Sequence, residues 1–395
     1  MIPGNGKVNI GIIGMGNMGQ LYLEQLSRID RCRVVSVWSQ KEEKVRKLSA
    51  EHQVQGYTDY LALLDAGDVD AVIVATPHYQ HTQMAIEALR RNIHVLVEKP
   101  VAAHTKDAER MIAAHEEQKR HHPDLVFAAI YQQRTSEHWR IVKEMIESGK
   151  FGKLLRYSWT NTSWFRPQAY FNVGNWRGTW SGEGGGVLLN QCAHNLDILW
   201  WLFGLPQSIT ATASFGKYHH IEVEDEVQAL LQHEGGLVGS FIASTAECPG
   251  TDRLEIVGEY GKLVYEDKKI TMRINEQSAL DYIRQSQQAF GTVKSHGEEL
   301  EFTGTKGPGH ERILEDFVQA ILERKAPLVP AAEGLNSLMM INGMVLSALR
   351  ESRVLLPLDG GEFERTLQSL IERSTYSKPA ANNDNVHVDV KDSFR

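Results

Sequence analysis

A glycine-rich turn near the amino terminus constrains the fold of this chain most strongly. Residues 8–19 read VNIGIIGMGNMG, so an apolar run leads into Gly14, Gly16 and Gly19 and then into a helical pattern. In this spacing Gly14 allows a tight turn, Gly16 lets the backbone approach a diphosphate, and Gly19 allows close helix–strand packing. The segment predicts a Rossmann domain that binds a dinucleotide at a helix amino terminus. The alternative is a glycine-rich turn in another α/β protein.

The first part of the chain alternates short apolar runs with helical patterns. The β-branched runs lie at 8–13, 33–38, 71–75, 94–97 and 125–130. Helical spacing of apolar residues is found at 18–28, 42–52, 80–90, 106–120 and 136–148. This repetition predicts right-handed crossovers and a doubly wound parallel sheet covered on both faces. We therefore place a dinucleotide-binding Rossmann domain at 1–131.

The pattern changes after about residue 153 to alternating runs separated by turn residues. These runs lie at 154–160, 208–215, 227–232, 237–243, 253–257 and 262–265. Gly235-Gly236 and Tyr260-Gly261 indicate hairpin turns. We predict an α+β domain at 132–374 with a large, mostly antiparallel, open-faced sheet of about six strands. Further helices are expected at 194–203, 310–323 and 333–350, of which the late ones can pack back on the first domain. The polar tail at 375–395 is predicted to be disordered.

Composition argues against several classes of function. The 395 residues favour two domains, and a formal charge of −8 without a Lys/Arg cluster argues against nucleic-acid or membrane partners. Three scattered cysteines, Cys32, Cys192 and Cys248, indicate reduced thiols rather than a disulfide framework or a zinc site. There is no signal-peptide pattern or long apolar segment, so we expect a cytoplasmic protein.

The residue expected to read the adenosine ribose follows the second predicted strand. It is a serine rather than an acid, so nothing there repels the 2′-phosphate of NADP. The candidate contacts to that phosphate are Ser39, Gln40, Lys41 and Lys44. The adjacent Glu42 and Glu43 oppose it, so the cofactor is predicted to be NAD or NADP with a slight lean to NADP. Alternatively, Ser39 is only a turn residue and NAD is bound through other contacts.

Several further segments together resemble the Gfo/Idh/MocA family, which includes glucose–fructose oxidoreductase and inositol dehydrogenases. The resemblance covers roughly residues 7–357 and rests on pieces that occur in the family's order. They are GIIGMGNMG, ATPHYQHTQMAIEALRRNIHVLVEKP, YQQR, IESGKFG, GGGVLLNQCAHNLD and DFVQAILERKAPLVPAAEG. The resemblance implies a substrate cleft between the carboxyl edge of the Rossmann sheet and the open face of the second sheet. It also implies a homodimer or homotetramer.

The resemblance assigns three residues to catalysis. Lys99 corresponds to the family's EKP lysine, where a cation would steady the reacting oxygen. His194 corresponds to the histidine that ends the glycine-rich segment and would exchange the hydroxyl proton. Asn190 stands where many relatives carry an aspartate; its amide cannot act as a base but can orient a hydroxyl. The structural alternatives are that Lys99 caps the strand or pairs with Glu98, and that His194 is a structural residue at a helix start.

Other candidates surround this group. Asp197 lies one turn after His194 and can orient its ring or pair elsewhere; no third ligand follows, so no metal is predicted. The aromatic and arginine-rich segment at 159–180 suits contacts to a sugar or to the nicotinamide side, or it is a cluster that packs a loop onto the sheet. His78 stands where relatives often have asparagine, and His310 is placed to reach the cleft.

The complete prediction has two groups of residues. The cofactor-binding residues are Gly14, Gly16, Asn17, Met18, Gly19, Ser39, Gln40, Lys44, Thr76, Pro77, His81, Glu98, Lys99, Gln132, Trp176 and Arg177. The substrate-binding residues are Lys99, Gln133, Trp164, Arg166, Asn190 and His194, with Tyr170 nearby.

The implied function is an NAD(P)-dependent oxidoreductase that transfers hydride from a secondary hydroxyl of a sugar, sugar derivative or inositol to nicotinamide. An alternative is an NAD-dependent, redox-neutral glycosidase that works through a transient 3-keto sugar and elimination. A third is a dinucleotide-sensing regulator without enzymatic activity.

Overall fold

The computed structural model describes residues 6–174, 176–302 and 309–378. The first domain contains a six-stranded parallel sheet. Its strands are β1 Val8–Ile13, β2 Cys32–Trp38, β3 Gln55–Tyr57, β4 Ala71–Val74, β5 His94–Val97 and β6 Phe127–Ala129. Its helices are α1 Asn17–Leu26, α2 Glu42–His52, α3 Tyr60–Asp65, α4 His78–Arg90 and α5 Thr105–Lys119. The strand order β3-β2-β1-β4-β5-β6 is the doubly wound order, which confirms the predicted Rossmann domain.

The central strands of this sheet are apolar because helices cover both faces. Every residue of β4 is buried, as is every residue of β1 except Asn9. A strand covered on both faces reads as a continuous apolar run rather than an alternating one. The short elements β3 and α3 are additions to the prediction. At the start of α3, Asp59 accepts a hydrogen bond from the Leu61 amide at 3.0 Å and caps the first turn.

The second domain contains a nine-stranded mixed sheet. Its strands are β7 Leu154–Asn161, β8 Ser208–Phe215, β9 Glu224–Gln232, β10 Val238–Ser244, β11 Asp252–Gly258, β12 Gly261–Glu266, β13 Lys269–Asn275, β14 Ser295–Leu300 and β15 Val354–Leu355. Its order is β14-β13-β12-β11-β7-β10-β9-β8-β15. All pairs are antiparallel except β7 with β10, so the predicted open sheet is confirmed. The predicted strand count was too low because β13, β14 and β15 were not recognised.

Helices of the later chain lie against both sheets. They are α6 Glu137–Glu147, α7 Gln168–Asn172, α8 Ala193–Phe203, α9 Ala279–Gln285, α10 His310–Glu323, α11 Gly334–Arg350 and α12 Gly360–Arg373. Helix α11 contacts β8 and α8 in the second domain and α5 in the first, whereas α10 contacts α1 and α12 contacts α5. These late helices therefore fix the two sheets relative to each other.

The start of the tail predicted to be disordered is described as far as Lys378. The Tyr376 hydroxyl donates to the carbonyl oxygen of His220 at 2.9 Å, and Lys378 Nζ donates to the carbonyl oxygen of Arg177 at 2.9 Å. The remaining predicted tail, 379–395, lies outside the described residues. None of the helices in the described ranges combines the length and apolarity needed to cross a membrane.

Candidate active site

The glycine-rich turn has the geometry that a diphosphate site requires. Gly14 has a φ of +106°, and a Cβ there would lie 2.5 Å from the Ala75 carbonyl oxygen. A Cβ at Gly19 would lie 2.0 Å from the Gly14 carbonyl oxygen, whereas one at Gly16 would meet no protein atom within 4 Å. The protein's own packing therefore requires Gly14 and Gly19. The open space at Gly16 is what a closely approaching diphosphate needs.

The first turn of α1 leaves its N–H groups available. Gly16 is the N-cap, so no side chain caps the helix, and Asn17 is exposed while Met18 is half-buried. Uncapped N–H groups and the positive end of the helix dipole favour an anion at this position. The residues at this turn therefore fit a dinucleotide diphosphate.

The end of β2 holds the predicted ribose contacts. Ser39 Oγ accepts a hydrogen bond from the Lys41 amide at 3.3 Å, so the serine does act as a turn residue. Gln40 is exposed. Lys44 is half-buried, and burial together with the charge of Lys41 lowers its pKa. The two lysines therefore lie close enough to interact beside this edge of the sheet.

The turn after β4 carries Thr76, Pro77 and His81. Pro77 is the N-cap of α4, and Thr76 Oγ1 donates to Met84 Sδ at 3.8 Å. His81 Nδ1 lies 3.0 Å from the Pro100 carbonyl oxygen, and its Nε2 lies 2.8 Å from the Thr76 carbonyl oxygen. His81 therefore ties this turn to the EKP turn. A direct contact between His81 and a cofactor, as predicted, would require one of these contacts to open.

Lys99 joins the two domains. Its Nζ donates to the backbone carbonyl oxygen of Asn190 at 2.9 Å. The neighbouring Glu98 is buried, where it accepts from the Tyr22 hydroxyl and from the Lys99 amide at 2.8 Å, so it shapes the turn rather than facing open space. Burial lowers the pKa of the Lys99 ammonium, while the charges of Glu98 and Glu183 raise it.

His194 lies in the first turn of α8 and is buried. Its Nε2 is 3.2 Å from the side-chain nitrogen of Gln132, and its Nδ1 has no hydrogen-bond partner in the described part of the chain. Burial lowers the pKa of His194 well below its ordinary value, and the charges of Lys99 and His310 lower it further. The imidazole is therefore neutral near pH 7 and able to accept a proton.

Asp197 does not orient the His194 ring. Its carboxylate forms a buried, two-point ion pair with Arg134, with distances of 2.8 Å from Nε and 2.6 Å from Nη2. Arg134 also contacts Glu333. Of the two predicted roles for Asp197, pairing elsewhere is the one observed, and the ion pair links the YQQR turn to α8.

Asn190 lies in a single π-helical turn, Val187–Gln191, that the sequence did not reveal. The carboxylate of Glu224 accepts from the Gly186 amide at 2.8 Å and the Leu188 amide at 3.2 Å, which anchors the start of this turn. Burial raises the pKa of Glu224 to about 7. Such turns place one extra residue in a helix and occur often at functional sites.

Glu183 is not among the residues predicted from the sequence. It is 1% exposed and accepts hydrogen bonds from the Gly178 amide at 2.6 Å and from Asn190 Nδ2. Its carbonyl oxygen lies 3.0 Å from Nδ1 of His78, the residue that replaces the family's asparagine. The only sequence signal was its position, because a carboxylate directly precedes the three glycines at 184–186.

The aromatic and arginine-rich segment lies beside Asn190. Tyr170 Oη accepts from Asn190 Nδ2 at 3.2 Å. The centroid of its ring lies 5.2 Å from the guanidinium carbon of Arg166 and 4.8 Å from that of Arg177. Arg166 also lies over Trp164, and Arg177 also lies over Trp176. The structure thus brings the predicted aromatic and cationic side chains together, close enough to Lys99 for Arg166 and Arg177 to lower its pKa.

Two predicted residues have other partners. Gln133 Oε1 accepts from the Trp139 indole at 3.2 Å, which turns the amide of Gln133 toward α6. His310 is buried with its ring 6.1 Å from that of Tyr22, and burial lowers its pKa to about 4. The charge of Lys99 lowers the pKa of His310 further, so His310 lies near Lys99.

Comparisons with known proteins agree with this fold. The model of the oxidoreductase family with an NAD-binding Rossmann fold matches residues 8–124, and the Gfo/Idh/MocA C-terminal domain model matches residues 139–264. Myo-inositol 2-dehydrogenase of Thermotoga maritima is 25% identical over 275 residues, which are 67% of this chain and 77% of the relative. Levoglucosan dehydrogenase of Pseudarthrobacter phenanthrenivorans is 24% identical over 398 residues, covering 89% of this chain and 98% of the relative.

A solved structure gives the same result. The WlbA dehydrogenase of Bordetella pertussis, in complex with NADH and UDP-GlcNAcA, has a TM-score of 0.74 and 27% identity and covers 89% of this chain and 100% of its own. The two family models together match more than half of the 395 residues. This chain therefore belongs to the Gfo/Idh/MocA family of NAD(P)-dependent oxidoreductases.

Proposed function

We propose that this protein oxidises a secondary hydroxyl of a sugar, a sugar derivative or a cyclitol and passes the hydride to NAD or NADP. One observation carries the proposal: Lys99 is held by the Asn190 carbonyl beside His194, whose burial keeps its imidazole neutral. A neutral base can accept the hydroxyl proton and a cation can stabilise the negative charge that develops on the same oxygen, so this pair suits alcohol oxidation. The names of two curated relatives, an inositol and a levoglucosan dehydrogenase, support a polyol substrate.

Each side chain has one task in this reaction. The bound nicotinamide supplies the carbon that accepts or returns the hydride. The Lys99 ammonium donates a hydrogen bond to the reacting oxygen and stabilises the negative charge that develops there. The neutral His194 accepts the hydroxyl proton and returns it in the reverse direction. Asn190 orients the hydroxyl, and the rings of Trp164 and Tyr170 lie beside the sugar face.

The positions of the predicted cofactor-binding residues suggest which of them would contact each part of the cofactor. The diphosphate would lie on Gly14, Gly16 and Gly19, with the adenosine ribose near Ser39 and the lysines that follow it. The nicotinamide end would lie between the β4 turn, Lys99 and the Trp176–Arg177 pair. His81 and Glu98 would then act indirectly, by holding the turn after β4 and the EKP turn in place.

A substrate panel with both cofactors tests the proposal. Purified protein is incubated with myo-inositol, levoglucosan, free aldoses and nitrophenyl glycosides, each with NAD⁺ and with NADP⁺. The expected result is reduced nicotinamide in stoichiometric yield from at least one polyol or sugar. Release of nitrophenol without net reduced nicotinamide would identify the redox-neutral glycosidase. Tight cofactor binding with no product from any compound would leave the dinucleotide-sensing regulator and contradict the proposal.

A further inference from the structure

Glu183 is a buried carboxylate that the reaction described above does not use. It is 1% exposed, and the removal of a carboxylate from water is costly unless hydrogen bonds or charges compensate. Two N–H groups point at it, the Gly178 amide and the side-chain amide of Asn190. No Lys or Arg of the described ranges forms an ion pair with it. Burial raises the pKa of Glu183, whereas the hydrogen bonds from Gly178 and Asn190 and the charges of Arg177 and Lys378 lower it and favour the carboxylate.

The contact with Glu183 fixes the orientation of the Asn190 amide. An ionised carboxylate only accepts hydrogen bonds, so the atom of Asn190 that faces it must be the NH₂ group. The same nitrogen lies 3.2 Å from Tyr170 Oη, so both of its hydrogens have an acceptor. The side-chain oxygen of Asn190 is left to accept a hydrogen bond from a ligand. Meanwhile its backbone oxygen holds Lys99 Nζ at 2.9 Å.

Glu183 also contributes to the charge balance around Lys99. The charged groups that act on the Lys99 ammonium are Glu98, Glu183, Arg166 and Arg177. The positive charge of Lys99 in turn lowers the pKa of four nearby histidines, His78, His81, His194 and His310. Glu98 is hydrogen-bonded to Tyr22 and to the Lys99 amide, and Glu183 is the carboxylate that the second domain contributes near the ammonium.

We propose that Glu183 and Asn190 act as one unit, in which Glu183 holds the amide so that its oxygen faces the substrate hydroxyl and adds a negative charge near the Lys99 ammonium. Glu183 is thus a positioning residue that acts through Asn190 and Lys99. The inference rests on the proposed function, because it concerns the same hydroxyl and the same lysine. It assigns a defined acceptor role to an amide whose orientation the sequence alone leaves open.

Because the side chains of Glu183 and Asn190 are in contact, substitutions can move the carboxylate from position 183 to position 190. E183Q removes the charge and frees the amide to turn over. N190D places two carboxylates in contact, and E183Q/N190D restores one carboxylate and one amide with their places exchanged. The substrate is the best compound of the panel, and kcat/KM is measured against pH for each protein.

The unit predicts a specific pattern. E183Q lowers kcat/KM by about tenfold to a hundredfold and moves its alkaline limb to lower pH, because Lys99 loses a carboxylate that favours its charged form. N190D is impaired by a similar factor, because like charges in contact disfavour ionisation. The double variant recovers at least about tenfold over either single variant, and its alkaline limb returns toward that of the wild type. NADH affinity stays within about threefold in all variants, since the diphosphate turn is untouched.

Asp252→Asn is the matched control. Asp252 is a largely buried carboxylate that accepts from the Trp159 indole at 2.8 Å and Asn161 Nδ2 at 2.9 Å, within the second sheet. Its amide variant should lower the melting temperature without moving the pH profile. This separates the loss of a buried charge in general from the loss of the Glu183 charge.

Three results would overturn the inference. They are an unchanged kcat/KM and pH profile in E183Q, an E183Q that behaves as D252N does, and a double variant no better than the single ones. If E183Q does not fold, the comparison of the double variant with N190D decides the question. Equal activity of these two proteins would contradict the proposal that Glu183 and Asn190 act as one unit. A wild-type protein that binds NADH but reduces no compound of the panel instead contradicts the proposed function.

Discussion

At the residue scale, burial sets the charge state of each reacting side chain. The His194 ring is neutral because it lies in the interior beside the positive charge of Lys99. Burial also lowers the pKa of the Lys99 ammonium, and the nearby carboxylates of Glu98 and Glu183 oppose that shift. We therefore expect His194 to act as the proton acceptor and Lys99 to act as the cation.

Removal of either group tests this division. Lys99→Ala and His194→Ala should each lower kcat by about 10²–10⁴-fold, the range for loss of a positioned acid, base or charge, with NADH affinity nearly unchanged. Lys106→Ala is the control, because Lys106 pairs with Glu109 on the surface of α5. Stopped-flow measurement of reduced nicotinamide gives the rates. Unchanged turnover in both variants would remove these residues from the mechanism.

A second residue-scale prediction concerns acid stability. His94 opens β5, and its Nδ1 accepts from the Val126 amide at 2.9 Å, a role that only the neutral ring can fill. Burial lowers the pKa of His94 to about 4, below the value near 6.5 in an unfolded chain. The unfolded state therefore binds more protons between these values. The stabilisation is full above pH 6.5 and is lost as the pH falls toward 4.

His94→Asn keeps an acceptor at this position but does not titrate. Its free energy of unfolding should fall less than that of the wild type between pH 7 and pH 4, by at most about 3 kcal/mol. Urea unfolding at a series of pH values measures the difference. Parallel pH dependence in the two proteins would contradict the assignment of this loss to His94.

At the element scale, the glycine turn separates fold from function. A Cβ at Gly16 meets no protein atom within 4 Å, and its φ of −68° suits alanine. Gly16→Ala should therefore keep the wild-type melting temperature and lose NADH affinity by about tenfold or more, because the methyl group occupies the approach of the diphosphate. Fluorescence titration and thermal unfolding measure the two effects.

Gly19→Ala is the matched comparison in the same turn. Its Cβ would lie 2.0 Å from the Gly14 carbonyl oxygen, so α1 must move away from β1. We expect a loss of about 1–3 kcal/mol in the free energy of unfolding together with weaker cofactor binding. An equal melting temperature for the two variants would show that the glycines do not have separate roles.

The sequence predicted elements whose pattern is local and missed those that depend on partners. The helix at 42–52 and the strand at 208–215 have the predicted bounds, because their apolar spacing is complete within the segment. Strand β14 reads SHGEEL and pairs only at the edge of the sheet, so it carries no apolar alternation. Strand β13 does alternate, with Ile270 and Met272 buried, so its signal was present in the sequence.

The candidate site shows the same division. Lys99, Asn190 and His194 lie in recognisable motifs, and the structure brings Lys99 and Asn190 into contact. Glu183 carries no such signal, because its closeness to Asn190 depends on the π-helical turn. That turn in turn depends on Glu224, which lies 38 residues from Gly186 in sequence. Tertiary contacts of this kind leave no periodicity in the chain.

At the scale of the whole molecule, the outer face of the second sheet remains open. Leu230 on β9 is 56% exposed and Val238 on β10 is 40% exposed, and both point to the face opposite the buried Phe241. Exposed apolar side chains on an open sheet favour association with another copy. The predicted homodimer or homotetramer would use this face.

Light scattering tests this assembly. Wild-type protein should elute as a dimer or tetramer, and L230K/V238K should shift it toward the monomer, because buried lysines without partners oppose association. Ile283→Lys in α9 is the control, since Ile283 is 75% exposed but lies outside the sheet. A monomeric wild type, or an unchanged mass in L230K/V238K, would contradict the use of this face.

Between the two domains, Lys99 Nζ donates a hydrogen bond to the backbone carbonyl oxygen of Asn190. A dinucleotide bound at the glycine turn must reach this contact for the proposed reaction to take place. Titration of the purified protein with NADH and with NADPH, followed by nicotinamide fluorescence, tests this most directly. We predict saturable binding of at least one of them, weakened in Gly16→Ala and retained in Lys99→Ala. No binding of either dinucleotide would contradict the account.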